Sequence, residues 1–168
     1  MQTSRDIVSA TLHFSGPERI AHSFEPSDFV WTSYTCKTYA TSWQQAGASA
    51  WYRLDEWGNQ WKRIDQSSKG EVSKGILPSL SAVHQYQFPD FSNPADYESV
   101  RADRAAHPNH WLIGSLPGFT FNIARKFRRL DQYLLELAAE PDLIHQLHDR
   151  IDEILMDMIQ NYAIAGVD

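Results

Sequence analysis

The sequence has 168 residues, 42% of them hydrophobic, which is enough to build the core of one domain. A formal net charge of −6 argues against a protein that binds nucleic acids or anionic membranes through non-specific charge attraction. Cys36 is the single cysteine, so that no internal disulfide can form. Because the sequence shows neither a signal peptide nor a run of roughly 20 apolar residues, we expect a cytoplasmic protein that does not span a membrane.

The N-terminal third of the chain predicts a helix, an irregular segment and a strand. Residues 4–14 have the apolar spacing of a helix, and Thr3 or Ser4 can cap it. Residues 21–49 interleave aromatic residues with Ser and Thr, which favours an irregular but packed segment. Residues 50–54 are typical of a short strand.

The middle of the chain predicts a hairpin, a loop and a helix. Gly58-Asn59 favours a turn that returns the chain through a second extended segment over residues 60–65. Residues 67–75 are polar and contain two glycines, which predicts a loop. Asn93 is suited to cap a helix over residues 94–105, with a proline in its first turn.

The C-terminal third predicts a strand followed by two helices. Residues 111–114 form an apolar run of strand length. Apolar residues recur at spacings of four and three from Ile123 to Leu137, which predicts one amphipathic helix, and Pro141 suits the first turn of another. Gly166 predicts the end of this second helix, and Val167-Asp168 indicates the start of a further strand. This order of elements is typical of a parallel α/β architecture.

Short motifs along nearly the whole chain carry a family resemblance. They are Ser4-Arg5-Asp6-Ile7-Val8 through Gly16-Pro17-Glu18-Arg19-Ile20, Leu54-Asp55-Glu56-Trp57-Gly58, Leu112-Ile113-Gly114 to Phe119, and Phe127-Arg128-Arg129-Leu130 through Leu134, Ala138-Ala139-Glu140-Pro141 and Ala165-Gly166-Val167-Asp168. In order and spacing they resemble the N-terminal part of the uroporphyrinogen decarboxylase superfamily, which includes corrinoid-linked methyltransferases. The resemblance implies a (β/α)8 TIM barrel. Residues 50–168 would supply its first strands and helices within a single incomplete domain, and residues 1–49 an N-terminal helical and irregular extension.

The resemblance also implies an enzyme, either a methyltransferase or a carboxy-lyase. Porphyrin-making decarboxylases carry an arginine-rich N-terminal signature that grips the substrate's carboxylates, and residues 34–45 contain no arginine. The Asp55-Glu56-Trp57-Gly58 form is more similar to the methyltransferase branch. We therefore expect the N-terminal part of a cobalamin- or corrinoid-dependent methyltransferase that is inactive as an isolated chain. A uroporphyrinogen decarboxylase acting on a tetrapyrrole and a non-catalytic, truncated interaction module are the alternatives.

The resemblance assigns candidate site residues to two places. Asp55 would end the first barrel strand, where an aspartate of the decarboxylases contacts pyrrole nitrogens, and is the catalytic candidate; the alternative is an Asp that starts a turn. In the loop from Gly114 to Asn122, small residues would let a ligand approach the backbone next to a helix N-terminus. Ordinary packing between strand and helix is the alternative for the aromatic rings of that loop. The substrate-binding candidates are Gly114, Ser115, Gly118, Phe119 and Phe121.

We predict no metal and no cofactor for the chain alone. The pairs His107/His110 and His145/His148 lack the further ligands that zinc needs, and Cys36 is interpreted as an idle or buried thiol. The positive run from Arg125 to Arg129 is interpreted as a solvated helix face.

The resemblance implies zinc and a corrinoid for a full-length family member. The expected partners are a small tetrapyrrole or methyl-group substrate and a corrinoid protein. Self-association, or a complementary barrel half, is expected to cover the apolar surface that an incomplete barrel exposes. Neither nucleic acid nor a membrane is an expected partner.

Overall fold

The computed structural model describes residues 1–35 and 38–168. Its helices are α1 (Ser4–Leu12), α2 (Glu98–Ala106), α3 (Thr120–Arg128), α4 (Leu130–Ala139) and α5 (Pro141–Ala165). Its strands are β1 (Phe29–Ser33), β2 (Gln44–Gln45), β3 (Trp51–Leu54), β4 (Gln60–Arg63), β5 (Glu71–Lys74) and β6 (Trp111–Ser115). Short 3-10 helices span Leu80–His84 and Pro94–Tyr97. Within the described ranges, no helix has both the length and the apolar character needed to cross a membrane.

The chain divides into two units, each with its own internal packing. The first unit contains Met1–Thr35, Ser92–Leu116 and Asp157–Asp168. The second contains residues 38–91 and 117–156 of the described chain. Residues of α5 therefore belong to both units.

A pair of parallel strands lies at the centre of the first unit. β1 pairs with β6 in a register that runs from Phe29 opposite Trp111 to Ser33 opposite Ser115. α2 packs against β1, and α1 packs against β6. The buried residues that form the core beside these strands are Tyr97, Val100, Leu112, Tyr162 and Ala165.

The start of α1 shows how local sequence positions this helix. The Thr3 hydroxyl oxygen accepts a hydrogen bond from the Asp6 amide at 3.1 Å, and the Asp6 carboxylate accepts one from the Thr3 amide at 3.0 Å. Each side chain thus satisfies an amide that has no partner within the helix. The sequence predicts Thr3 or Ser4 as the cap of the first helix, and the structure shows that it is Thr3.

A four-stranded antiparallel sheet organises the second unit, in the order β2-β3-β4-β5. β3 and β4 form a hairpin with Leu54 opposite Gln60. The Arg53 guanidinium of β3 makes two cation–π contacts, at 5.2 Å from the ring centroids of Trp61 in β4 and of Trp43, which precedes β2. In the turn of the hairpin, the fully buried Trp57 packs on Phe127, with ring centroids 5.8 Å apart.

The predicted TIM-barrel portion is wrong. The described residues form a small parallel pair and a four-stranded antiparallel sheet instead of a barrel. The segment predicted as the first barrel strand, β3, pairs antiparallel with β4, because the turn after Leu54 returns the chain at once. The parallel partner of β6 is β1, which lies inside residues 21–49 that were predicted to be irregular. β5 likewise lies inside the predicted loop over residues 67–75.

The helix predicted from Ile123 to Leu137 is two helices. α3 ends at Arg128 and α4 begins at Leu130. Arg129 between them has φ 64° and ψ 152°, which no helical residue adopts. The apolar spacing continues across this break, so that periodicity alone could not reveal it. The predicted start of the last helix at Pro141 and its stop before Gly166 are confirmed.

Candidate functional site

Asp55 closes the turn of the β3–β4 hairpin. Its carboxylate is 3% exposed, and four donors converge on it. Oδ1 accepts from the amides of Trp57 at 3.0 Å and Asn59 at 2.9 Å. Oδ2 accepts from the Asn59 side-chain amide at 3.1 Å and from the Trp61 indole at 2.8 Å. All of these donors belong to the turn or to the strand after it.

This geometry supports the alternative interpretation of Asp55, that of a turn-forming residue. A carboxylate that transfers a proton or holds a substrate needs an accessible oxygen with free acceptor capacity. Both Asp55 oxygens accept two hydrogen bonds each, and the group is removed from solvent. A catalytic role for Asp55 stays a prediction, while its structural role is visible in the contacts.

Gly114 and Ser115 lie in the first unit, at the carboxyl end of β6. There the Tyr162 hydroxyl donates to the Ser115 carbonyl at 2.7 Å and accepts from the Tyr34 amide at 3.0 Å. Tyr34 follows β1, so that one hydroxyl joins the ends of both parallel strands. Burial raises the pKa of Tyr162, which keeps its hydroxyl protonated and able to donate.

A small apolar cavity of about 210 Å³ lies beside Tyr162. Its lining carries few polar groups, and its size suits a small apolar ligand group rather than a whole tetrapyrrole. The cavity is at the strand ends, where the loop residues of the first unit meet the last turns of α5. The residues that line it are Gly114, Leu116, Ile159, Tyr162, Ala163, Val167 and Asp168.

We expect Gly114→Ala to lower the free energy of unfolding by about 1–3 kcal/mol, the usual cost of overpacking a core. A Cβ at this position would lie 2.9 Å from the nearest Tyr162 ring atom, so the ring must move and its hydrogen bonds must lengthen. Urea unfolding measures the loss. Ser115→Ala on the same strand is the control, with an expected change of about 0.5 kcal/mol or less. Equal stability of the two variants would contradict the close packing of Tyr162 on Gly114.

Gly118, Phe119 and Phe121 lie in the second unit, at the start of α3. Phe119 is 62% exposed and Phe121 42% exposed, and their rings are nearly parallel with centroids 6.4 Å apart. Phe121 also meets the ring of Tyr133 edge-on at 5.6 Å. Phe119 is thus largely open to solvent, whereas Phe121 is held against a helix neighbour, as ordinary packing would require.

Tyr133, which packs against Phe121, also forms a hydrogen-bonded pair with His148. The Tyr133 hydroxyl and His148 Nε2 are 2.9 Å apart. Burial lowers the pKa of His148, which favours a neutral ring. The unprotonated nitrogen of a neutral ring can accept a hydrogen bond from the Tyr133 hydroxyl. The hydrogen-bond partner of His148 is thus the phenol of Tyr133.

The six candidate residues therefore occupy three separate environments. Gly114 and Ser115 surround Tyr162 in the first unit. In the second unit, Asp55 is enclosed by its own turn, and Gly118, Phe119 and Phe121 lie together at the start of α3. Tyr162 is not among the candidate residues that the sequence predicts. Its functional signal, a hydroxyl placed between two strand ends, exists only in three dimensions.

The positive run from Arg125 to Arg129 is not a uniformly solvated face. The Arg128 side chain is 12% exposed and pairs with Glu136, which is 6% exposed, at 2.5 Å. Arg128 also donates to the Leu77 carbonyl at 2.5 Å. The sequence interpretation is wrong for Arg128, which joins α3 to α4 from the interior.

Among the residues that the structure describes, no three His, Cys, Asp or Glu side chains are grouped so that they could hold a metal ion. His107 and His110 have ring centroids 5.5 Å apart. Cys36 lies outside the described residues.

Asp168 makes a second network in the first unit. Its carboxylate is 3% exposed, accepts from the Leu112 amide at 2.9 Å, and forms ion pairs with Arg5 and Arg104. Arg104 also donates to the Gly166 carbonyl at 2.9 Å. Three distant segments of the chain are tied together at this point.

Comparison of the chain with models of protein families, with curated proteins and with solved structures found no match.

Proposed function

We propose that this chain is a uroporphyrinogen decarboxylase-like protein of the cytoplasm, and that it forms the N-terminal part of a corrinoid-dependent methyltransferase. The methyl-group substrate and a corrinoid protein would be its partners. The proposal starts from the ordered sequence motifs, and one structural observation lends it support. That observation is the convergence of separate motif segments on the Asp168 carboxylate.

The network at Asp168 connects residues from three of these motifs. Arg5 belongs to the first motif, Leu112 to the third and Asp168 to the last, and all three meet in one buried network. These contacts place the three motif segments together in the first unit, as a proposal built on all of them requires.

The apolar cavity beside Tyr162 is the part of this chain best suited to a small substrate. It opens where β1 and β6 end, and a methyl-bearing group is of a size and polarity that it could take. The Tyr162 hydroxyl is held by two backbone groups and would act as a fixed wall rather than as a free acid.

Among the described residues, no three His, Cys, Asp or Glu side chains are grouped so that they could hold zinc. No step of the proposal runs through zinc or a corrinoid on this chain. In the proposal, the remainder of the enzyme and the corrinoid protein would supply them.

A non-catalytic interaction module is the second candidate, and the environment of Asp55 favours it. The carboxylate that the resemblance marks as catalytic has its acceptors filled within its own turn. An interaction module would retain such a turn for its stability alone.

The test is an assay of methyl transfer from methylcobalamin to a thiol, followed by the absorbance change of the cobalamin. We expect no turnover from the chain alone, and turnover when it is mixed with the polypeptide that completes it. Decarboxylation of uroporphyrinogen, measured in parallel, would assign the alternative branch. Absence of both activities in the completed protein would overturn the proposal and favour the interaction module.

The cavity is tested in the same assay with two matched variants. Leu116→Trp fills the cavity and is expected to lower activity strongly. Ile164→Trp lies in the same unit but is 81% exposed, and should leave activity near that of the wild type. Equal activity of both variants would exclude this cavity as the substrate site.

A further inference from the structure

A second and larger cleft, of about 620 Å³, lies wholly within the second unit. One side is formed by Trp61 of β4 and Val72 of β5. The other side is formed by the end of α3 and the start of α4, including Arg125, Lys126 and Arg129. Three positive side chains thus line a cleft in a protein whose net charge is −6.

Two of these cations already have nearby partners, although neither is neutralised in the interior. The Arg125 Nε donates to the Asn122 side-chain oxygen at 3.0 Å, a neutral acceptor. Arg129 lies 3.5 Å from Asp131, and both of these side chains are more than half exposed. Such exposed pairs contribute little and exchange readily with a competing anion. Glu71 is the other acidic residue of the lining.

Lys126 is half-buried, and within the described parts of the chain no ion pair includes it. The ring centroid of Trp61 lies 5.5 Å from its Nζ. Arg128, two residues away, is also withdrawn from solvent but has Glu136 as its counter-ion. Charged groups that leave water are normally paired, so Lys126 marks a position where a negative partner would be stabilised.

The surroundings of Lys126 are rigid. Trp61 is held by the hydrogen bond from its indole to Asp55 at 2.8 Å, and its ring forms a fixed wall of the cleft. Burial lowers the pKa of the Lys126 ammonium, and the negative charges of Asp55 and Glu56 oppose that shift in part. An anion bound in the cleft would remove the electrostatic cost of keeping this ammonium charged.

The start of α4 adds amide donors to the same cleft. α4 has 10 residues, and Leu130 and Asp131 of its first turn line the cleft. The side chain of Arg129, at the N-cap, makes no hydrogen bond to the first-turn amides. Those amides and the positive end of the helix dipole favour an anion at this place.

We propose that this cleft binds the oxyanion group of a small molecule, a phosphate or a carboxylate, through Lys126, Arg129 and the first-turn amides of α4. The neutral part of the ligand would rest against Val72 and Leu134. This site is independent of the methyl-transfer proposal, because it lies in the other unit and needs no reaction.

The test is a titration of the purified chain with inorganic phosphate and, separately, with citrate, followed by amide chemical shifts and by calorimetry. The two ligands distinguish a phosphate site from a carboxylate site. Lys126→Gln is expected to weaken binding of the preferred anion about tenfold, the effect of one charge-assisted hydrogen bond. Arg101→Gln removes one positive charge from an exposed ion pair in the first unit and should change affinity by about twofold or less.

Equal weakening by both variants would mean diffuse charge attraction and would overturn the proposal, as would the absence of binding by either anion. If Lys126→Gln does not fold, the wild-type chain still decides the question through amine acetylation, read by mass spectrometry. A bound anion should slow acetylation of Lys126 and leave that of the exposed Lys69 unchanged. Acetylation of Lys126 at the same rate with and without the anions would refute the site.

Discussion

Asp55→Asn is expected to lower the free energy of unfolding by about 3 kcal/mol. The NH2 group of the asparagine replaces one carboxylate oxygen, so that two of the four donors that Asp55 accepts from lose their acceptor. Whichever way the new amide points, its NH2 group faces either the two backbone amides or the Asn59 and Trp61 side chains. Each buried donor left without an acceptor costs about 1–3 kcal/mol. Urea unfolding at neutral pH, followed by circular dichroism and by tryptophan fluorescence, measures the change.

Glu56→Gln is the matched control for this prediction. It removes the same charge from the neighbouring position, where the side chain is only half-buried. Its expected effect is about 0.5 kcal/mol or less. If Asp55→Asn were as stable as Glu56→Gln, the four hydrogen bonds could not be what holds the turn.

Asp55→Asn also distinguishes a structural role of Asp55 from a catalytic one. If the residue is structural, any activity of the completed enzyme should fall with the fraction of folded protein and recover when a ligand or low temperature restores folding. If the residue is catalytic, activity should be lost while the unfolding curve stays that of the wild type. Stability and activity must therefore be measured on one preparation.

Asp168→Asn should also cost about 3 kcal/mol of unfolding free energy, for a different reason. The substitution leaves the Arg104 guanidinium, whose side chain is 18% exposed, without its carboxylate. Removing one member of a withdrawn ion pair is costly because the other charge stays in a poorly solvated place. The second partner, Arg5, is 51% exposed and can be solvated by water, so it adds less to the loss.

A double-mutant cycle with Arg104→Gln tests this explanation. If the loss comes from the unpaired guanidinium, the double variant should be more stable than the sum of the single effects predicts, by about 1.5 kcal/mol or more. Asp157→Asn, an exposed position on α5, controls for the change in net charge. Strict additivity would show that Asp168 stabilises the unit without acting through Arg104.

The carboxylates of Asp55 and Asp168 are both buried and hydrogen-bonded, but their partners come from different distances along the chain. Asp55 is satisfied by donors at most six positions away in the chain. Asp168 is satisfied by residues from the first helix, the second helix and β6. The turn at Asp55 is therefore predictable from the sequence, whereas no residue near Asp168 in the chain indicates its partners.

The interactions of Arg128 and Lys126 show the same limit within one helix. Both residues occur in one basic run, which by itself indicates a solvated face. In the structure Arg128 has a counter-ion in Glu136, and Lys126 lies against Trp61. The difference depends on where α4 and the hairpin pack, and sequence spacing does not contain that information.

Elements that are stabilised by local contacts could be predicted from the sequence. The capped start of α1, the hairpin turn at Gly58-Asn59 and the limits of α5 follow from contacts within a few residues, and all three were predictable. Tertiary structure alone decided that β1 is the partner of β6, that the hairpin belongs to an antiparallel sheet, and that Tyr162 joins two strand ends. The physical reason is that strand pairing and buried polar contacts are completed by groups far away in the chain, whereas helix caps and tight turns are completed by their neighbours.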